Sequence, residues 1–299
     1  NYSKSSFFLP RMLKIFDLEK TYQYLLIILA FLMPLTVFGA NLIIVIICLL
    51  WLFSGDYKNK YLQIIGNKLI LVSILFFALH VIGLLWTEDL FWGLHIVHKM
   101  WYFLLLLPVL FTIVRKENIK FYISAFLLAI TFTEIASYLV WFEIIEPFKN
   151  ATVKNPTPFM SHISYNPILA FAIYLVLHEI FFNKKISIFL LYFYCFFSLT
   201  MSINMFITGG RAGQVTFFVM LLILIFQVLN KQRVRALIIS SLLIPLIFIT
   251  AYYSSSLFYE RVNLAINEII TFQETNGFNS NTGSHTSVGL RLAMAINSW

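Results

Sequence analysis

Apolar runs separated by short basic links fill most of this chain, and that alternation leaves few folds open to it. A segment crossing lipid must satisfy its own backbone N–H and C=O groups, which takes about 20 apolar residues coiled as a helix. Runs on that scale fall at 22–38, 42–53, 69–86, 100–114, 121–142, 167–182, 186–207, 215–229 and 236–253. The pattern predicts an all-α, polytopic integral membrane protein with about nine spans. Charged residues make up only 11% of the 299 positions, against roughly 25% in soluble domains. Phe (32) and Tyr (15) are abundant and suit lipid contact and the headgroup boundary. Cys48 and Cys195 lie inside apolar runs, without disulfide or metal spacing, and read as small buried hydrophobes.

The stretch "LMPLTVFGANLIIVIICLLWLF" is open to two readings: one long helix, or two short ones broken at Gly39 to Asn41. Charge favours two. Of the 21 Lys and Arg residues, only Lys99, Lys149, Lys154, Arg211, Arg261 and Arg291 then fall on one side. Short links rich in Lys and Arg stay cytoplasmic, so the amino terminus is expected inside and those six cations outside. The net charge of +8 is thereby explained by orientation, and nucleic acid is not needed as a partner. The expected layout is a basic cytoplasmic segment at 1–21, a helical bundle at 22–253, and the start of a large external loop at 254–299. A start on Asn1 and an end on Trp299 inside an amphipathic stretch read as a fragment.

The external cations differ in setting. Lys149 and Lys154, in "EPFKNATVKNPTPFMSHISYN", read as solvated loop residues. Arg261, beside Glu260 on an amphipathic stretch after the last span, reads as surface or interfacial. Lys99, in "HIVHKMWYFLLLLPVLF" with His95 and His98 at helical spacing, sits at the outer mouth of a span. There it either snorkels to headgroups or faces inward as an anion contact. Arg211, in "NMFITGGRAGQVTFFVML", follows Gly209 and Gly210 and precedes Gly213, which let the chain turn and a ligand approach backbone. The next span is expected from about Gln214, so its unpaired N–H groups and dipole point where the guanidinium points. Such a spot suits phosphate, although an arginine ending a helix at the headgroups has the same sequence.

Arg291, in "SHTSVGLRLAMAINSW", lies in the first turns of an amphipathic helix capped near Ser287. His285, in "TNGFNSNTGSHTS", reads as a loop histidine, and it and His162 are secondary candidates. Glu134, deep in "LAITFTEIASYLV", reads as hydrogen-bonded to neighbouring Ser or Thr, with proton coupling as the alternative. Glu88 and Asp89, in "LLWTEDLFWG", read as an interfacial loop, with metal binding as the rival. No metal or cofactor is expected.

In order and spacing, "ITGGRAGQ" and "VGLRLAMAINSW", with the earlier "HKMWYFLLLLP" and "FMSHISYNPILAFAIYL", resemble the O-antigen ligase and polymerase superfamily of bacterial envelope glycosyltransferases. The resemblance covers essentially the whole chain. It implies transfer of a glycan from undecaprenyl diphosphate to an acceptor hydroxyl at the periplasmic side of the inner membrane. Ligases use the lipid A-core as acceptor, polymerases another lipid-linked glycan, and a third branch a protein hydroxyl. The resemblance further implies that Arg211 and Arg291 are catalytic, and that Lys99, Arg211, Gly210 and Gly213 hold the diphosphate. The family's essential histidine would lie beyond Trp299, and its role is not carried to His285. Departure of a lipid diphosphate develops negative charge that fixed cations and helix N–H groups stabilise without a metal. A secondary transporter or lipid flippase is the alternative from another class, although no internal repeat is evident.

Overall fold

The computed structural model describes residues 17–149, 151–274 and 286–297. Among them every regular element is helical, apart from one isolated bridge between Thr152 and Asn155. Seven helical segments are long and apolar enough to cross a membrane: Lys68–Trp86, Leu90–Ile113, Lys116–Trp141, His162–Phe182, Ile188–Ile207, Arg211–Val228 and Arg233–Ser254. An eighth arises if Val37–Phe53 and Tyr57–Gly66, which meet at 116°, are one broken span. The protein is a multi-pass helical membrane protein. The expected nine exceed this because the first two runs form helices of 15 and 17 residues, each shorter than the roughly 20 residues a bilayer core requires.

The chain forms two compact units, Asn1–Ala129 and Ile130–Trp299. In the first, α1 (Leu18–Leu32) and α2 (Val37–Phe53) are separate helices. The break falls before Gly39 to Asn41, which lie inside α2. Pro34 has no N–H to continue the ladder, and the Thr36 hydroxyl accepts from the Gly39 N–H at 3.3 Å, starting a new helix. After α3 (Tyr57–Gly66) and α4 (Lys68–Gly83), α5 (Leu90–Lys99) begins at a capping Asp89, whose Oδ1 accepts from the Trp92 N–H at 2.9 Å. Asp89 is therefore engaged with backbone through one of its two carboxylate oxygens. The early cap also starts this helix ten residues before the expected span, so Lys99, the last residue of α5, falls inside the Leu90–Ile113 segment and not at its mouth. A π turn at Tyr102–Leu106 then leads into α6 (Leu107–Ile113) at Pro108, which cannot donate to the α ladder. Ile47 of α2 and Val109 of α6 are fully buried against one another's helices with α1. Gln23 Nε2 donates to the Ile113 carbonyl at 3.0 Å, and Trp51 Nε1 to the Thr112 hydroxyl at 2.8 Å.

α7 (Ile119–Trp141) carries the division between the units within its length. The second unit continues with α8 (His162–Phe182), α9 (Ile188–Ile207), α10 (Arg211–Val228), α11 (Arg233–Ser254), α12 (Ser256–Glu274) and α13 (Ser287–Asn297). Its tightest seam joins α8 to α10. A Cβ on Gly213 would lie 2.2 Å from Asn166 Cβ and 2.4 Å from the Asn166 carbonyl carbon, and one on Gly210 would lie 2.6 Å from the His162 carbonyl oxygen. Lipid supplies no hydrophobic drive between helices, so such close approach at small residues is a main source of cohesion. The seam continues through Ala170 and Ile173 against Phe217 and Leu224. Gly213→Ala is expected to cost about 1–3 kcal/mol, as overpacking does. Thermal unfolding of the detergent-solubilised protein measures it, and an unchanged midpoint would refute the seam.

At the end of α11, the Ser255 hydroxyl donates to the Phe206 carbonyl at 2.7 Å and accepts from the Phe258 N–H at 3.2 Å. This pins the α11–α12 corner to α9.

Candidate functional site

Residues 208–211 form a turn between α9 and α10, held by side chains from a loop and two helices of the second unit. Asn155, in the loop before α8, accepts from the Gly209 N–H at 3.1 Å through Oδ1 and donates to His162 Nδ1 at 2.6 Å through Nδ2. The His162 ring hydrogen is thereby assigned to Nε2. The Thr208 hydroxyl donates to Asn166 Oδ1 at 2.8 Å, and Gln214 Nε2 reaches the carbonyls of Thr208 and Met205 at 3.3 and 3.4 Å. Asn166, Thr208 and Gln214 are all buried. Irregular backbone among membrane spans needs such partners, since lipid offers none. The same packing corrects one expectation. The space over Gly210 and Gly213, read as an approach for a phosphate, is filled by Asn166 and Pro167.

Arg211 is the first residue of α10, so the helix begins three residues before Gln214 and its guanidinium springs from the terminus itself. Arg211 Nη2 lies 3.7 Å from Glu268 Oε1, with the side chains 27% and 11% exposed. That distance is an ion pair without a hydrogen bond. The other Glu268 oxygen accepts from the Val288 N–H at 2.9 Å, and the Thr286 hydroxyl accepts from Gly289 N–H at 3.0 Å. The cap of α13 is thus Thr286, one residue before the expected Ser287. Arg291, exposed, follows Val288 by about one helical turn. Glu268 ties the segment bearing Arg291 to Arg211.

Arg261, read from the sequence as surface or interfacial, is partly buried, and its Nη2 and Nε lie 3.4 and 3.5 Å from where a Cβ on Gly209 would stand. It precedes Glu268 by seven residues on α12, so one helix face presents a cation to the turn and a carboxylate to Arg211. That spacing was the available signal in the sequence. His162 is brought to the turn, Lys99 is exposed at the end of α5 in the first unit, and His285 lies outside the described residues.

Beside the turn opens an apolar cleft of about 830 Å³, walled by Ile203 and Phe206 of α9, Phe217 of α10, Leu246 of α11 and Leu257 of α12. Lys154 and Glu260 are its charged members. No protein-family model, curated protein or solved structure matches the chain.

Proposed function

We propose that this protein is a lipid-linked glycan transferase of the O-antigen ligase kind, moving a glycan from undecaprenyl diphosphate to a hydroxyl of the lipid A-core. In this reading the reaction runs at the periplasmic face of the bacterial inner membrane. The observation that carries it is an 830 Å³ apolar cleft whose wall includes Ile207 and Lys154, with a permanent cation, Arg211, at a helix N-terminus four residues on from Ile207. A polyprenyl diphosphate has those two halves, an anion and a long apolar chain.

The acceptor oxygen forms a bond to the anomeric carbon as the bond from that carbon to the diphosphate oxygen breaks. The acceptor proton leaves to a base, and the diphosphate departs carrying the added negative charge. Arg211 and Arg261 flank the turn where that charge would settle. Because His162 Nδ1 accepts from Asn155, its Nε2–H is a donor, which suits an anion contact and not the base. The roles that the resemblance gives Arg291 and Lys99 are tested by the same assay.

Expression in strains lacking either the O-antigen ligase or the polymerase, followed by inspection of the lipopolysaccharide ladder, tests the proposal. Restored capping of core by long chains is expected. Restored chain length in the polymerase-deficient strain alone selects the polymerase reading, and no change in either strain overturns both the ligase and the polymerase readings.

A further inference from the structure

Behind the turn, α7, α8 and α9 of the second unit enclose a polar cluster that the proposed transfer does not use. Glu134 is 4% exposed, Tyr165 2% and Asn204 fully buried. Glu134 Oε1, Tyr165 Oη and Asn204 Oδ1 have no hydrogen-bond partner. Buried polar atoms nearly always have one, and lipid-embedded ones cannot borrow it from solvent.

The helix register brings these residues within one turn of one another. Asn204 Nδ2 donates to the Ser137 hydroxyl at 2.9 Å, which sets Asn204 of α9 beside Ser137 of α7. One turn back on both helices, the Thr200 hydroxyl meets the Glu134 carboxyl, and Tyr138 Oη donates to the Thr200 carbonyl at 2.7 Å. From α8, Tyr165 reaches in towards Thr133, whose own hydroxyl hydrogen goes to the Ile130 carbonyl at 2.8 Å. Among the described residues, the titratable groups facing Glu134 are the phenols of Tyr138 and Tyr165, and α9 supplies only Thr200 and Asn204 there. No Lys, Arg or His is among them.

The three open positions are all oxygens and all able to accept. A water would give hydrogens to two of them and leave a carboxylate charge uncancelled. A hard cation serves all three, and a single carboxylate balances a single positive charge, whereas a divalent ion would leave an excess inside the membrane. We propose that Glu134, Asn204 and Tyr165, with the Thr200 hydroxyl, form a binding site for one Na⁺, for which a proton on Glu134 is the competitor. The Asn204 backbone carbonyl lies 3.0 Å from the Thr208 hydroxyl, so α9 runs on from this cluster into the Gly209–Arg211 turn. The site stands on its own and does not depend on the glycan-transfer reading.

Binding of radioactive sodium to the purified protein in nanodiscs, followed by scintillation proximity, tests it. Saturable binding at alkaline pH is expected, displaced by NaCl but not by choline chloride and lost on mild acidification. Glu134→Gln is expected to weaken it by about tenfold or more. Asn204→Asp adds a second carboxylate and is expected to let Ca²⁺ displace the sodium, which keeps the site testable if Glu134→Gln fails to fold. Absence of saturable binding at alkaline pH means that a proton alone neutralises Glu134 and overturns the proposal. Binding that Glu134→Gln leaves unchanged, or an Asn204→Asp variant indifferent to Ca²⁺, does the same.

Discussion

Arg211→Ala is expected to lower glycan transfer from purified undecaprenyl-diphosphate-linked donor by at least about 10²–10³-fold, the scale on which losing one preorganised donor at a developing oxyanion acts. Arg211→Lys should retain part of the activity, since an ammonium keeps the charge but lacks the planar fork that grips phosphate. Glu134→Gln separates transfer from transport: the buried carboxyl takes no part in the proposed transfer, so a correctly folded variant should keep it. The reverse pattern, with Arg211→Ala active and Glu134→Gln dead, would favour a transporter.

Glu268 is expected to give the second large effect, and two substitutions separate its two contacts. It pairs with Arg211 at 3.7 Å and accepts the Val288 N–H at 2.9 Å. Glu268→Gln keeps an acceptor for Val288 and removes the charge competing for Arg211, so the KM for the lipid-linked donor should fall several-fold, corresponding to about 1 kcal/mol or less. Glu268→Ala removes the acceptor as well. Loss of a capping contact of about 0.5–2 kcal/mol should speed amide hydrogen exchange at Val288 roughly 2- to 30-fold. If both variants leave exchange and KM where they were, Glu268 is a bystander.

Much of the architecture was legible because lipid leaves a chain so little choice. The runs that became α7 through α11 are long, apolar and bounded by charges, and they fold as helices within a few residues of where the pattern puts them. What escaped was local chemistry that hydropathy does not weigh. The cap at Asp89 moved the start of α5, and Pro34 with Thr36 moved the break between α1 and α2. Around Arg211 the glycines were correctly singled out as unusual, yet their purpose lies in contact with Asn166 and Pro167, residues more than 40 positions away in sequence. A run of glycines announces close approach without naming the partner. Arg261 and Glu268 were hidden for a different reason. On an amphipathic helix just past a span, a charge facing headgroups and a charge facing the protein look alike until the helix is docked.

The contact between α8 and α10 has a mechanical corollary. Where two backbones already touch through Gly210 and Gly213, there is no slack to give, and Phe217 on that pair forms one jamb of the 830 Å³ cleft. Another jamb is α11, whose Pro245 releases the Ser241 carbonyl from the helical ladder and whose end is pinned at the Ser255 corner. If the cleft takes the long apolar chain of the proposed donor, α11 at Pro245 is the wall expected to yield, while the α8–α10 pair stands still.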